Sequence, residues 1–439
     1  MKNNHSHNGG DISIEKKHAA KGADFVLPDV QGKNFSVFTF GCKVNRYETE
    51  KIRHELIDRG ACHVKFGEKA DIVIINTCTV TAESDRQCRQ IVRRAIKINP
   101  GAAVIVTGCI LNNPEAGAGI DKNAVPVEKE RLLSGRAGTA RKQTLTRALL
   151  KIQDGCDHYC TYCIVPYVRG KSRSVPLDGV VKEAEMLFVA GHREIVICGV
   201  HLGLYGKDLE EKITLGKLLN RISEVVPGAR IRLSSIEPMD LDDETLDAIT
   251  GNPAICPHLH LPIQHAHPGI LKSMNRGYTA EDYSALLDKI LSRGPGISIS
   301  TDCIAGFPGE GEEEFEALYD YIEKGPFMKI HVFSYSPRPG TPASEFPGRV
   351  YPDIKKKRSR RLLELGEKKH IEFLEGLKGN VLDVLVEELL PGGYMKGTSG
   401  NYAVVKELGP DAMPGDIVEV TVNGRDNETA IGTRKENPD

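Results

Sequence analysis

At 439 residues, 40% hydrophobic and 27% charged, the chain is long enough for two or three globular domains. Its 58 Lys and Arg against 60 Asp and Glu leave a net charge of −2, which excludes a uniformly basic nucleic-acid coat but not a local basic patch. Eleven cysteines, an odd number at irregular spacing, argue against a secreted disulfide framework. The first residues carry no apolar signal-peptide core, and no run approaches the ~18 apolar residues of a membrane span. The expectation is a cytoplasmic protein without membrane association, whose thiols stay reduced and in part bind metal.

Residues 1–32 are polar, with His5, His7 and His18 scattered among Lys, Gly and Asn. They read as a disordered tail rather than a metal site, because nothing apolar is available to fold them. Strand and helix signals then alternate. NFSVFTFG (34–41) predicts a strand, 45–59 a helix, DIVIINT (71–77) a buried strand, 82–98 a helix and AAVIVTG (102–108) another buried strand. Such alternation implies a parallel sheet between helices, a three-layer α/β domain over 33–144.

From 145 to 377 the alternation continues. ALLKIQ (148–153), EIVICG (194–199), ARIRLSS (229–235), HLHLPI (258–263), ISISTDCIAG (297–306) and MKIHVFS (328–334) are strand candidates. Helices are expected between them at 179–190, 279–292 and 310–324, and a charged helix at 353–377 leads out. Six βα units are too few to close an eight-strand barrel, so a partial (βα)6 barrel of TIM type is predicted, with its site at the carboxyl ends of the strands. Over 378–439 short β-like runs with Gly/Pro turns predict a small all-β barrel or sheet.

The strongest signal is Cys156-Asp-His-Tyr-Cys160-Thr-Tyr-Cys163, in the loop after the first strand of the six-unit array. Three thiolates this close can hold three irons of a 4Fe–4S cube and leave the fourth open. Zinc, with His158 as fourth ligand, is the alternative. A second constellation emerges from the strand reading: Cys42, Cys78 and Cys109 each lie just past the carboxyl end of a predicted strand, 36 and 31 residues apart. In a parallel sheet those ends share one edge, where three thiolates could bind a second cluster. Three unrelated small buried residues is the competing reading. Cys62, Cys88, Cys198, Cys256 and Cys303 read as packing residues.

The Cys156–Cys163 run within a partial barrel resembles the radical S-adenosylmethionine (SAM) enzymes. The continuation CDHYCTYCIVPYVRGKSRS (156–174), taken with Cys42, Cys78 and Cys109, resembles the methylthiotransferase family. The resemblance covers nearly the whole chain from about residue 34. It implies an auxiliary-cluster domain, a radical SAM domain and a C-terminal TRAM RNA-binding domain. FGCKVNRYE (40–48), NTCTVT (76–81), ICGVHLGLYG (197–206) and LSSIEP (233–238) resemble the branch acting on N6-threonylcarbamoyladenosine in tRNA. Sister branches act on isopentenyladenosine in tRNA or on an aspartate of a ribosomal protein.

By that resemblance the cofactors are two 4Fe–4S clusters and SAM. Cleavage of SAM at the Cys156–Cys160–Cys163 cluster yields a radical aimed at C2–H of the adenine, the auxiliary cluster supplies sulfur, and a second SAM supplies methyl. The implied partners are a tRNA substrate, a low-potential electron donor such as flavodoxin or ferredoxin, and a sulfur donor. Tyr162, Glu194, Glu237, Gln264 and Asp302 are the candidate cofactor-binding residues. Glu194, in Gly191-His-Arg-Glu194, matches a Gly-Gly-Glu SAM motif in part, and Glu237, Gln264 and Asp302 lie near later strand ends. Where the family reads Gln-Ser-Gly, this chain has Gln264-His265-Ala266-His267, whose histidines read as surface loop residues.

RNA binding needs positive charge. The helix 83–98 offers Arg86, Arg89, Arg93, Arg94 and Lys97, and the run Lys355, Lys356, Lys357, Arg358, Ser359, Arg360, Arg361 has six basic residues in seven. A solvated helix face is the competing reading for each. From Lys378 onward 6 Lys/Arg face 11 Asp/Glu, a balance of −5, so a C-terminal RNA contact would need a local face such as Tyr394, Lys396 and Tyr402. A non-catalytic iron–sulfur scaffold is disfavoured, because it has no use for open iron sites.

Overall fold

The structure is a computed structural model that describes residues 29–133, 142–408 and 412–435. His5, His7 and His18 fall outside the described residues. Residues 29–32, expected to be tail, are anchored instead. Val30 is buried beside Phe35 and Leu56, and the Gly32 N–H donates to the Gly60 carbonyl at 2.9 Å.

Chain order begins with strands β1 (Asn34–Thr39), β2 (Cys62–His63), β3 (Ile72–Thr77), β4 (Ala103–Gly108) and β5 (Val125–Pro126) and helices α1 (Lys43–Asp58), α2 (Ala82–Ile98), α3 (Pro114–Ala118) and α4 (Lys129–Leu132). The strands form one parallel sheet in the order β2-β1-β3-β4-β5. Every residue of β3 is buried because the sheet is covered on both faces. Phe35, Ile72, Ile74 and Ile105 meet Ile52 and Leu56 of α1, whereas Val73, Ile75, Val104 and Val106 meet Cys88, Val92 and Ala95 of α2. Thr81 caps α2 by accepting from the Ser84 N–H.

The central region contains β6 (Ala148–Lys151), β7 (Gln153–Asp154), β8 (Arg173–Ser174), β9 (Glu194–Cys198), β10 (Arg230–Leu233), β11 (His258–His260), β12 (Ser298–Ala305) and β13 (Phe327–Ser334). Its helices are α5 (Val165–Arg169), α6 (Leu177–Val189), α7 (Leu215–Val225), α8 (Asp243–Gly251), α9 (Pro268–Ser273), α10 (Ala280–Arg293), α11 (Glu312–Lys324) and α12 (Pro352–Gly376). Two parallel sheets, β6-β9-β10 and β11-β12-β13, are joined by parallel bridges at Ile231–Ile255 and Ser235–His260. The result is the expected open array of six strands. Ile195 and Ile197 face the helices, so Val196 and Cys198 face the lumen, where Tyr47 of α1 packs on them and on Leu149. The first helix of the N-terminal unit thus covers part of the open lumen.

The last strands, β14 (Val381–Leu390), β15 (Tyr394–Ser399), β16 (Val404–Leu408), β17 (Ile417–Asp426) and β18 (Thr429–Arg434), close a barrel that is antiparallel except where β16 meets β18. Leu374 and Leu377, at the end of α12, seal its core. The β15–β16 turn plugs the amino-terminal end of the central array. Arg232 donates to the Gly400 and Ser399 carbonyls at 2.9 and 2.8 Å, and Arg230 to those of Asp383 and Thr398 at 2.8 and 2.6 Å. No described helix is long and apolar enough to cross a membrane.

Candidate functional site

The run Cys156–Cys163 occupies the carboxyl mouth of the six-strand array, after β7. The antiparallel β7–β8 pair and the Cys156 N–H to Gly170 carbonyl bond (3.1 Å) fix the base of the loop, and the Thr161 N–H to Met274 carbonyl bond (3.0 Å) ties its middle to α9. All eleven cysteines are free thiols. Burial pushes the Cys156 thiol up to about 11 and that of Cys163 to about 12. Against this, the buried Arg276 points Nη1 at Cys160 Sγ, 3.6 Å away. Three half-buried sulfurs on one short loop beside a guanidinium fit an anionic iron–sulfur group, which replaces the thiol protons on binding.

The other mouth candidates divide. Glu237 is at the rim, paired with Arg276 at 2.5 Å. Tyr162 packs its ring among Ile270, Met274, Phe307 and Tyr335. Gln264 takes φ +67 just past β11, where its N–H donates to the Asp302 carbonyl at 2.9 Å. Asp302 lies inside the lumen with His260 Nε2 3.0 Å away. Glu194 is a correction: it begins β9, at the opposite end of the array from the mouth. Its carboxylate is fully buried and shared by Arg230 (2.6 Å) and Arg232 (2.7 Å), so it orders the plug rather than meeting a cofactor. His158, the proposed zinc ligand, instead sits 3.1 Å from Asp240, which also faces His201 at 3.4 Å.

Cys42, Cys78 and Cys109 follow β1, β3 and β4, which are adjacent in the sheet. Gly41 adopts φ +88, and a Cβ there would stand 2.8 Å from Cys78 Cβ and 3.0 Å from its Sγ, so only glycine lets the two loops approach. Asn45 Nδ2 ties them by donating to the Phe40 and Thr77 carbonyls at 2.8 and 2.9 Å. Burial raises the Cys78 thiol, and that of Cys109 to about 11, while the Arg169 charge opposes both.

Cys109 packs against Ile164 and Val168, in and beside α5 and directly after Cys163, and Asn112 Nδ2 donates to the Val168 carbonyl at 2.8 Å. The two thiol sets therefore abut across α5. Arg169, at the end of α5, binds Glu48 (3.1 Å) and Asp154 (2.8 Å), which Lys129 and Lys151 also contact. Three cations meet two carboxylates in a buried junction.

The basic candidates separate by burial. Arg86, Arg93, Lys356 and Lys357 are exposed, Arg86 beside Glu83, and Arg89 and Lys355 are half-buried. Arg358 is a correction: it turns inward to Glu310 at 2.8 Å, and Arg361 meets Glu316 at 2.5 Å, because the helical turn splits the basic run between two faces. Tyr402 is another, since its ring stacks on His258 at 4.5 Å beneath Arg232 and cannot also stack on a base. His265 is fully buried against Glu310 (3.3 Å), not a surface residue. Cys62 is exposed, unlike the four other cysteines expected to pack.

Sequence reading missed Arg276, Arg169, Glu48, Asp240 and His201. Each acts through a buried pair whose halves lie far apart in the chain. Only Arg169 carried a local signal, one helical turn past the cysteine loop.

Residues 150–322 match the model of the radical SAM superfamily, and residues 34–124 that of the uncharacterized protein family UPF0004. The chain is 36% identical over 417 residues to the threonylcarbamoyladenosine tRNA methylthiotransferase MtaB of Bacillus subtilis, covering 88% of this chain and 92% of that one. It is 34% identical over 428 residues to the tRNA-2-methylthio-N(6)-dimethylallyladenosine synthase of Aquifex aeolicus, covering 89% and 96%. Among solved structures, the radical SAM methyltransferase TsrM of Kitasatospora setae shares the fold, with a TM-score of 0.50, 15% identity and coverage of 72% of this chain and 77% of that one. The superfamily match brings SAM and a 4Fe–4S cluster as cofactors. With relatives aligned over most of its length, this chain belongs to the radical SAM methylthiotransferase family.

Proposed function

We propose that the protein transfers a methylthio group to C2 of N6-threonylcarbamoyladenosine beside the anticodon of tRNA, using two 4Fe–4S clusters. Cys156, Cys160 and Cys163 would hold the cluster that serves SAM, and Cys42, Cys78 and Cys109 the sulfur-donating one. The bound groups supply one-electron cleavage of SAM, sulfur and methyl. The chain's own residues do the rest. Arg276 balances thiolate charge at Cys160 and holds Glu237 at the rim. Arg169 does the same near Cys109. Tyr162 and its apolar neighbours exclude water from the mouth. On this reading residues 33–144 carry the sulfur site, 145–377 the radical site, and 378–439 help to hold RNA. A low-potential reductant and a sulfur donor would complete the cycle.

The observation that carries the reading is the abutment of the two thiol sets across Cys109, Ile164 and Val168. The threonylcarbamoyl substrate follows that of the Bacillus subtilis relative, a threonylcarbamoyladenosine tRNA methylthiotransferase. Two experiments test it. Anaerobic reconstitution should load two clusters, and replacing either cysteine triad by alanine should remove half the iron and sulfide; loss of all iron with one triad would leave a single site. The loaded enzyme, offered tRNA bearing the threonylcarbamoyl or the isopentenyl group, or the ribosomal protein, should turn over the first. Preference for either other substrate would move the chain to a sister branch.

A further inference from the structure

The lumen between the mouth and the Tyr402 plug holds a polar cluster that the reaction above does not use. Register across β12 and β13 pairs Ser300 with Lys329 and Asp302 with His331, so all four share one face. Ser300 Oγ lies 3.0 Å from His258 Nε2 and 2.9 Å from His260 Nδ1, which places both histidines on that face too. The His260 and His331 rings are 5.4 Å apart, and nitrogen or oxygen atoms of His260, Asp302 and His331 lie within 4.8 Å of one another. Ile330 and Leu365 pack together on the helix side, so the alternating residues Lys329, His331 and Phe333 point away from it.

The cluster has an excess of cations. Its one carboxylate, Asp302, is already engaged by His260. Lys329 is half-buried and has no ion-pair partner among the described residues. Lys43 approaches from the opposite wall. One turn along α1, Tyr47 packs on Leu149, Val196 and Cys198 of the lumen face, and the residue four before it projects from the same side. Lys43 is exposed, unlike Lys329, and is likewise without an ion-pair partner among the described residues. Burial, the neighbouring His260 and the charges of Lys329 and Lys43 hold the His331 ring below the usual imidazole range despite Asp302. An unpaired ammonium in a half-buried pocket leaves room for an anion, which would gain charge-assisted hydrogen bonds there.

We propose that Lys43 and Lys329, with His260 and His331 between them, form the subsite for the carboxylate of the threonylcarbamoyl group. The inference rests on the threonylcarbamoyl reading of the substrate and supplies its selectivity. A dimethylallyl group is an uncharged hydrocarbon and would leave both ammonium groups unpaired, whereas a threonyl carboxylate satisfies them. The position suits the chemistry. Lys43 adjoins Cys42, so a base anchored here by its N6 substituent lies close to the Cys42 thiol. Phe333, on the same face and 48% exposed, offers an apolar plane for the ring.

The test uses full-length, cluster-loaded enzyme and three anticodon stem–loop RNAs, bearing threonylcarbamoyladenosine, its threonine carboxamide analogue, or isopentenyladenosine. Binding is measured by fluorescence anisotropy and modification by nucleoside analysis. The unaltered enzyme should bind the acid about tenfold more tightly than the amide. Lys43→Gln and Lys329→Gln should each erode that preference, with a melting temperature and cluster content equal to those of the unaltered enzyme showing that they fold. Equal affinity for acid and amide, with threonylcarbamoyl RNA still favoured over isopentenyl RNA, overturns the subsite alone. Retention of the full preference in both variants does the same. Preferred binding and modification of isopentenyl RNA overturns the substrate reading and the subsite with it.

Discussion

Glu48 stands six residues past Cys42 and Arg169 six past Cys163, and their side chains meet at 3.1 Å in the buried seam between the two cysteine-bearing units. The bond has a geometric consequence. Any shift of α1 relative to α5 would separate the two thiol sets, and the Arg169–Glu48 pair, reinforced by Asp154, opposes that shift. Burial raises the Glu48 carboxyl, but Arg169, Lys151 and Lys129 outweigh it and hold the group below the usual range.

Removing one partner should therefore be costly. Arg169→Met leaves Glu48 and Asp154 with two lysines that still balance their charge but without the guanidinium hydrogen bonds, and such charge-assisted bonds contribute about 1.5–3 kcal/mol each. Urea unfolding should show that loss. Glu48→Gln combined with Arg169→Met should cost clearly less than the sum of the two single changes. Strict additivity would mean that the pair is not coupled.

Glu194→Gln addresses the plug. The amide cannot balance Arg230 and Arg232, whose guanidinium groups also hold the Ser399–Gly400 turn. The variant should lose about 2–4 kcal/mol of stability and expose the C-terminal barrel to limited proteolysis. SAM affinity of the loaded enzyme should stay within about twofold, because the residue lies at the far end of the array. A folded variant that had lost SAM binding would return Glu194 to the cofactor site.

Stability should fall on mild acidification. Burial is the largest influence on His258 and His265, and it lowers both, so the folded state resists their protonation while the unfolded chain does not. Their contribution is complete above the unfolded value near 6.5 and is lost as pH falls below it. Below about pH 4 the lowered carboxylates Glu48 and Glu194 add to the loss in the same direction. Thermal unfolding should shift down between pH 7.5 and 5.5, and His258→Gln should flatten that shift. A melting temperature that rises over this interval would contradict the assignment.

The strands were legible because parallel strands buried on both faces leave unbroken runs such as DIVIINT. The cysteine loop was legible because its spacing is local. What the sequence hid was direction. A partial Gly-Gly-Glu match points to Glu194 as a cofactor contact, but the residue opens β9 and so lies at the amino-terminal end of the array, away from a mouth built at the carboxyl ends of the strands. Arg358 looked like part of a basic patch because a linear run does not show that α12 winds it past Glu310. Tyr402 offered an aromatic for RNA, yet its ring is spent on His258, a contact made across 144 residues of chain.

The same distinction decides which basic residues can meet RNA. Lys356, Lys357 and Arg93 are exposed and have no ion-pair partner among the described residues, so their charges are free to displace counterions from phosphates. Replacing each by alanine should lower the slope of log affinity against log salt by about 0.7–0.9 and weaken binding of all tRNAs alike, because phosphate contacts position without reading sequence. Arg86→Ala should change the slope less, since Glu83 already neutralises that side chain at 2.5 Å. Arg358→Gln should behave differently in kind. It strips Glu310 of its cation beside the buried His265, so stability should drop by about 3–5 kcal/mol while the salt slope of the protein that remains folded is unchanged. A normal melting temperature together with a reduced slope for Arg358→Gln would place that guanidinium on the RNA after all.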